Sequence, residues 1–248
     1  MAQGTGLHDV LIVKLGSAPE ALRARRGDFE HWFARGLGIS MNRCLVINPM
    51  IGEPLPDADA FRGAILTGSE TMLTDNPDWS RRTQDWLEPI LARDTPILGV
   101  CYGHQLLAQT LDGKVGWSPQ GEEIGTVTVE LTAQGRRDPL LAGLPEQLTV
   151  QSSHSQSVLK LPPGARLLAY NSHEPVQGFA WGSNAWGVQF HPEFDADISR
   201  TYIEDDREKL EAEKRDPDTL LRAANDADHG GILLRSFADR IRLLACIS

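Results

Sequence analysis

Cys101 lies in the pentapeptide Gly99-Val100-Cys101-Tyr102-Gly103, between the apolar run Pro96 to Val100 and a helical pattern that follows. A buried strand has no need of glycine on both sides of a thiol. A nucleophile held on a tight strand-to-helix turn does, as in Gly-x-Ser-x-Gly hydrolases, because flanking glycines avoid clashes when a strained turn closes. A thiol at a helix N-terminus also feels the positive end of the helix dipole, which favours thiolate. Backbone N–H groups at such a turn point outward and stabilise an oxyanion. The competing reading is a buried cysteine ending a core strand, since free cysteine is among the most buried residue types.

A cysteine nucleophile needs a base, and the base needs an orienting acceptor. The chain has seven histidines. His104, three residues past Cys101 on the helix, is expected to point away from the thiol. His8, His31 and His229 suit surface or capping positions. His191 ends the apolar stretch AWGVQF and is followed by Pro192 and Glu193. On extended chain, residues i and i+2 project to the same side, and the intervening proline keeps His191 out of a helix. Glu193 would then hold one imidazole nitrogen while the other faces Cys101. A His-x-Glu pair also fits part of a metal site, but no further Cys/His/Asp pair stands at ligand spacing, so no metal is expected.

The surrounding pattern says what positions these groups. HDVLIVKLG, RCLVINPM, FRGAILTG and TPILGVC read as buried strands. APEALRARRGDFEHWFARGL, DWSRRTQDWLEPILARD and GHQLLAQTLD read as helices between and after them. Such alternation predicts an α/β fold, with parallel strands joined by crossover helices and covered on both faces. Right-handed crossovers place the strand C-termini, including Gly68 and Cys101, along one edge, where open α/β sheets bind ligands. After residue 114, EIGTVTVELT, EQLTVQSSH, ARLLAYNS, VQGFAWGS and AWGVQFHPEF predict an antiparallel extension of the same sheet. From about residue 195 the chain is charged and helical, with Pro217 and Gly230-Gly231 expected as breaks. The cluster Glu204-Asp205-Asp206 reads as a solvated helix face.

Composition narrows the function classes. A formal net charge of −10 argues against a nucleic-acid or anionic-membrane surface. No apolar run approaches the roughly 20 residues needed to span a bilayer, and the N-terminus lacks a secretory pattern. The three cysteines, Cys44, Cys101 and Cys246, are too scattered for a disulfide framework, so a reducing cytoplasm is expected.

GVCYGHQLLAQTLDGKVG together with WGVQFHPE resembles the class I glutamine amidotransferases, nearest to the amidotransferase domain of guanosine-monophosphate synthetases and their stand-alone relatives. The resemblance runs from the first strand to about Phe194. It implies a flavodoxin-like α/β fold with a mostly parallel central sheet, a single domain over 1–248, and a helical C-terminal segment. It implies a Cys101-His191-Glu193 triad and an oxyanion hole from the main-chain N–H groups of Gly68 and Tyr102. Gln105 matches a helix glutamine that helps bind substrate. SSHS matches a segment, including Ser153, His154 and Ser155, whose backbone meets the substrate's α-amino and α-carboxylate groups. No cofactor is implied.

Two departures fall at the substrate end. Gly68-Ser69-Glu70 stands where many relatives have Gly-Gly-Pro or Gly-Pro-Gly, and Ser155 where many have glycine. The chain also has no Ser-Gly-Gly-x-Asp-Ser nucleotide loop, no Walker A and no Gly-x-Gly-x-x-Gly after a strand. Three readings follow: a glutaminase that passes ammonia to a separate synthetase subunit, a hydrolase or transferase of other γ-glutamyl amides, and a non-enzymatic module on the same scaffold.

Overall fold

The computed structural model describes residues 8–226 and 228–245. The early apolar runs form β1 (His8–Val13), β2 (Cys44–Ile47), β3 (Phe61–Leu66) and β4 (Ile97–Val100). β1 runs parallel to β2 and to β3, and β3 runs parallel to β4. The helices of this half are α1 (Glu20–Arg26), α2 (Phe29–Leu37), α3 (Asp78–Ala92) and α4 (Tyr102–Thr110). The segment expected as one helix across residues 18–37 is therefore two. Gly27 takes φ 77°, which ends α1, and the buried Asp28 carboxylate then accepts from Ala18 N and Phe29 N at 2.8 and 2.9 Å. An aspartate at an N-cap satisfies helix donors, so the chain restarts there as α2.

Downstream lie β5 (Lys114–Trp117), β6 (Glu123–Leu131), β7 (Gln147–His154), β8 (Gln156–Lys160), β9 (Arg166–Tyr170), β10 (Gly178–Trp181) and β11 (Ala185–Val188). The main sheet has nine strands in the order β2-β1-β3-β4-β11-β10-β9-β6-β7. β10, β9, β6 and β7 make the expected antiparallel extension. β11 corrects the expectation: it is parallel to β4, with Val188 opposite Val100. A turn at Gly182 (φ 58°) closes the β10–β11 hairpin and drops the last strand beside the first half of the sheet. That placement brings the segment after Val188 next to Cys101. β5 and β8 escaped the sequence reading because they are short and carry no clean alternation. They pair only with each other, as a separate ribbon.

Both sheet faces are dry. Val10 and Ile12 of β1 pack in one cluster with Trp32, Phe33, Trp186 and Phe237, while Leu11 and Val13 pack in the other with Leu66, Leu87, Leu106 and Phe179. The period-two split explains why these strands read as continuous apolar runs. Each fully buried leucine or phenylalanine contributes about 1.5–3 kcal/mol from burial.

The C-terminal segment forms α5 (Ala196–Asp205), α6 (Arg207–Ala212), α7 (Pro217–Ala223) and α8 (His229–Ala245). Pro217 opens α7, where a missing N–H costs nothing. Gly230 and Gly231 are not a break; they lie in the first turn of α8. Gly230 is needed for space, since a Cβ there would stand 2.4 Å from the Pro192 carbonyl oxygen. No helix among the described residues is long and apolar enough to cross a membrane.

Candidate active site

Cys101 joins β4 to α4 with φ 51° and ψ −103°, a conformation rare for a residue with a side chain. The strain is held from both sides: Cys101 N donates to Val188 O at 2.9 Å, and Gly103 N donates to Thr67 O at 3.1 Å. The flanking glycines serve close packing. A Cβ on Gly99 would lie 2.4 Å from Gly103 O, and one on Gly103 would lie 2.3 Å from Leu66 O. Cys101 Sγ faces Ser153 O at 3.6 Å.

His191 is anchored to β7 by its own N–H, which donates to Gln151 O at 2.8 Å. The His-Pro-Glu segment is not extended strand, as expected from sequence, but a turn in which Phe194 N donates to His191 O at 3.4 Å. Proline's fixed φ suits the second position of such a turn. The outcome for the side chains is the one expected: His191 Nδ1 and Glu193 Oε1 are 2.8 Å apart and buried. The Phe194 ring stacks on the imidazole at 4.0 Å between centroids, and Tyr202 of α5 stacks on Phe194 at 5.0 Å. Burial opposes charging this imidazole, but the Glu193 carboxylate and the Cys101 sulfur outweigh it and push its pKa up to about 10.

Gly68 closes the third side. A Cβ there would come within 2.9 Å of His191 Cε1 and 3.7 Å of Cys101 Cβ, so the imidazole lies against the Gly68 backbone. The N–H groups of Gly68 and Tyr102 have no acceptor among the described residues. The Tyr102 ring points the other way, into the α3–α4 packing, where its hydroxyl donates to Ser80 Oγ at 2.8 Å.

The remaining residues expected at the site divide. Gln105 lines the cavity, but its amide nitrogen already donates to Gln156 O at 2.8 Å and Gln189 Oε1 at 3.0 Å. Ser153, His154 and Ser155 all line it too. The His154 ring, however, is committed to the interior, with Nε2 3.1 Å from Glu123 Oε2 and Nδ1 3.0 Å from Gln156 O. Glu123 is a buried node that sequence reasoning missed. It accepts from Ser152 Oγ (3.0 Å), Asn171 Nδ2 (2.7 Å) and Gln177 Nε2 (2.7 Å) as well. Burial raises its pKa, but His154, Asn171 and Ser152 more than reverse that and bring it to about 2. Its sequence signal is faint: one acidic residue at the start of a strand whose register sets it opposite His154.

The cavity over Cys101 is about 290 Å³. Its walls are the loop from Ser69 to Met72, the segment from Ser153 to Gln156, and the corner between α5 and α6 with Tyr202, Asp205, Asp206 and Lys209. Asp205 and Asp206 therefore belong to the cavity wall and not only to a solvated face. Glu204 is the solvated member, exposed and paired with Arg207. Among the described residues no group of three His, Cys, Asp or Glu side chains is placed to hold a metal ion.

The other histidines have structural roles. His104 is fully buried against Phe179, 5.1 Å between ring centroids, and burial lowers its pKa to about 3. His31 accepts from Asp28 N as part of a capping box, and His229 Nδ1 accepts from Thr149 N at 2.8 Å.

Brief treatment with iodoacetamide near neutral pH is expected to label Cys101 well before Cys44. Burial and the nearby Asp9, offset in part by Arg43, push the Cys44 thiol up to about 11. Cys246 lies outside the described residues. Peptide mapping reads the order, and faster labelling of Cys44 would contradict the turn as an activating site.

A thiol at the carboxyl edge of an open α/β sheet, beside a buried imidazole–carboxylate pair, describes a broad class of α/β proteins that bind ligands where strands end. Residues 75–208 match the family described as "Glutamine amidotransferase class-I". The GMP synthase (glutamine-hydrolyzing) of Aeropyrum pernix is 35% identical over 194 residues, 78% of this chain and 34% of that protein. Gamma-glutamyl peptidase 4 of Arabidopsis thaliana is 31% identical over 144 residues, 57% of each chain. The crystal structure of a glutamine amidotransferase from Thermotoga maritima superposes with a TM-score of 0.74 at 26% identity, covering 95% of this chain and 98% of that one. The chain belongs to the class I glutamine amidotransferase family. It spans about a third of the archaeal synthase and just over half of the plant peptidase.

Proposed function

We propose that the chain hydrolyses the side-chain amide of glutamine through a thioester on Cys101 and releases ammonia for a separate synthetase. The observation that carries this reading is the strained Cys101 turn facing a His191 imidazole held by Glu193 at 2.8 Å. The Cys101 thiolate attacks the amide carbonyl, and His191 protonates the departing ammonia. Water, deprotonated by His191, then hydrolyses the γ-glutamyl thioester. Glu193 orients the imidazole and stabilises its charged form. The N–H groups of Gly68 and Tyr102 receive the oxyanion, each contributing about 3 kcal/mol to the barrier. No cofactor takes part, and the thiol chemistry suits a cytoplasmic, reducing setting.

The separate synthetase is supported by length: the archaeal GMP synthase extends far beyond the part this chain matches. A second reading, hydrolysis of γ-glutamyl peptides or conjugates by the same residues, is favoured by the similarity to the plant γ-glutamyl peptidase. Ammonia release separates the two. With saturating glutamine the isolated chain is expected to turn over slowly compared with Cys101 alkylation, because the Gly68-Ser69-Glu70 loop must adopt a competent oxyanion geometry. Fast, partner-independent release from glutamine would reject this gating. Slow release from glutamine with fast cleavage of a γ-glutamyl peptide would move the assignment to the second reading.

A further inference from the structure

The cavity over Cys101 has a charged wall that the proposed chemistry does not use. Glu70, Glu122, Asp205 and Asp206 line it, and Lys209 is the one lysine or arginine among its described lining residues. Lys209 Nζ is taken by Glu122 Oε1 at 2.6 Å. Glu122 Oε2 has no hydrogen-bond donor, although its side chain is only 6% exposed; Arg215 Nη1 stands 3.7 Å away. A carboxylate oxygen desolvated in this way calls for a donor, and one that arrives with a ligand fits the cavity it borders.

Asp206 adds to this demand from the α5–α6 corner. It occupies the N-cap position of α6 yet makes no capping hydrogen bond, and its carboxylate enters no hydrogen bond or ion pair among the described residues. Burial and the neighbouring Glu122, Asp205 and Glu70 carboxylates raise its pKa, against the lowering effect of Lys209. Like charges gathered beside an enclosed thiol repel one another until a cation enters between them. The γ-glutamyl group carries one cation, its α-ammonium. The adjoining wall is Ser155, whose Oγ donates to Glu122 Oε1 at 3.5 Å.

We propose that Asp206, together with Glu122, receives the α-ammonium group of the γ-glutamyl substrate. The C-terminal helices then supply part of the substrate site, and the chain selects α-amino-γ-amides over amides that lack the amine. This inference rests on the amide-hydrolysis reading above. An ammonium held by two carboxylates in a partly desolvated site makes charge-assisted hydrogen bonds of the stronger kind.

The test compares L-glutamine with glutaramate, the same amide without the α-amino group, on the wild-type chain and on Asp206→Asn. Asp206→Asn is expected to lower kcat/KM for glutamine by about 10–100-fold, mostly through KM. The loss with glutamine should exceed the loss with glutaramate at least about tenfold. Glu122→Gln should show the same selectivity, which guards against a folding defect in one variant. Equal losses on both substrates, or no loss on glutamine, would overturn the proposal. Calorimetric binding of the two ligands to Cys101→Ala, with and without Asp206→Asn, reads the same selectivity without turnover. If the wild-type chain released no ammonia but glutamine binding still weakened selectively, the amide-hydrolysis reading would fail and the ammonium site would stand.

Discussion

Replacing Cys101 by alanine is expected to abolish amide hydrolysis, lowering kcat by about 10⁴-fold or more. No second described thiol can substitute. Cys44 lies in β2 at the far edge of the sheet, separated from β4 by β1 and β3. The substitution should leave the fold intact, because alanine keeps the Cβ that Cys101 already places at positive φ and removes one sulfur from a cavity wall. The checks are ammonia release and the unfolding midpoint of the purified variant. A folded Cys101→Ala protein with substantial turnover would refute the nucleophile.

The second large effect lies in the His-Pro-Glu turn. His191→Ala is expected to lower kcat by about 10³-fold or more, since no other imidazole is placed to serve the thiol. Glu193→Gln should retain more activity, because orientation and charge stabilisation are its whole contribution. It should also bring the imidazole pKa down from about 10, as the carboxylate is the strongest influence opposing burial there. The sign is definite: a group held charged by a carboxylate loses its proton at lower pH once that carboxylate is neutral. The pH dependence of Cys101 alkylation in wild type and Glu193→Gln reads the shift. His104→Ala serves as the comparison; if it lost turnover while His191→Ala kept it, the base would be misassigned.

Much of this site was legible before any coordinates. The Gly-x-Cys-x-Gly turn carries its own steric reason, and close packing at Gly99 and Gly103 bears that reason out. The His191–Glu193 contact was legible as a pair, but the local geometry was not. Alternation and proline suggested extended chain, whereas the turn is set by the Phe194-to-His191 hydrogen bond and the stacked Phe194 ring. Strand direction was the larger miss. A short apolar run after a hairpin looks the same whether it pairs antiparallel or inserts beside β4, since tertiary pairing decides. Glu123 and Asp206 were illegible for a related reason. An acidic residue on a solvated face and one turned into a cavity share the same sequence context, and only the fold separates them. Gly68 had a plausible reason, backbone freedom, and the structure supplies another: the imidazole occupies the space of its Cβ.

The central claim is that Cys101 becomes acylated by the γ-carbonyl of a glutamine-type amide. The direct measurement is mass spectrometry of the acid-quenched chain after brief exposure to glutamine and to a panel of γ-glutamyl amides, followed by peptide mapping. A γ-glutamyl adduct on the peptide containing Cys101, absent from Cys101→Ala and accumulating in Glu193→Gln if deacylation slows, is the predicted result. An adduct on another residue, or none from any γ-glutamyl amide with a chain whose Cys101 still alkylates rapidly, would contradict it.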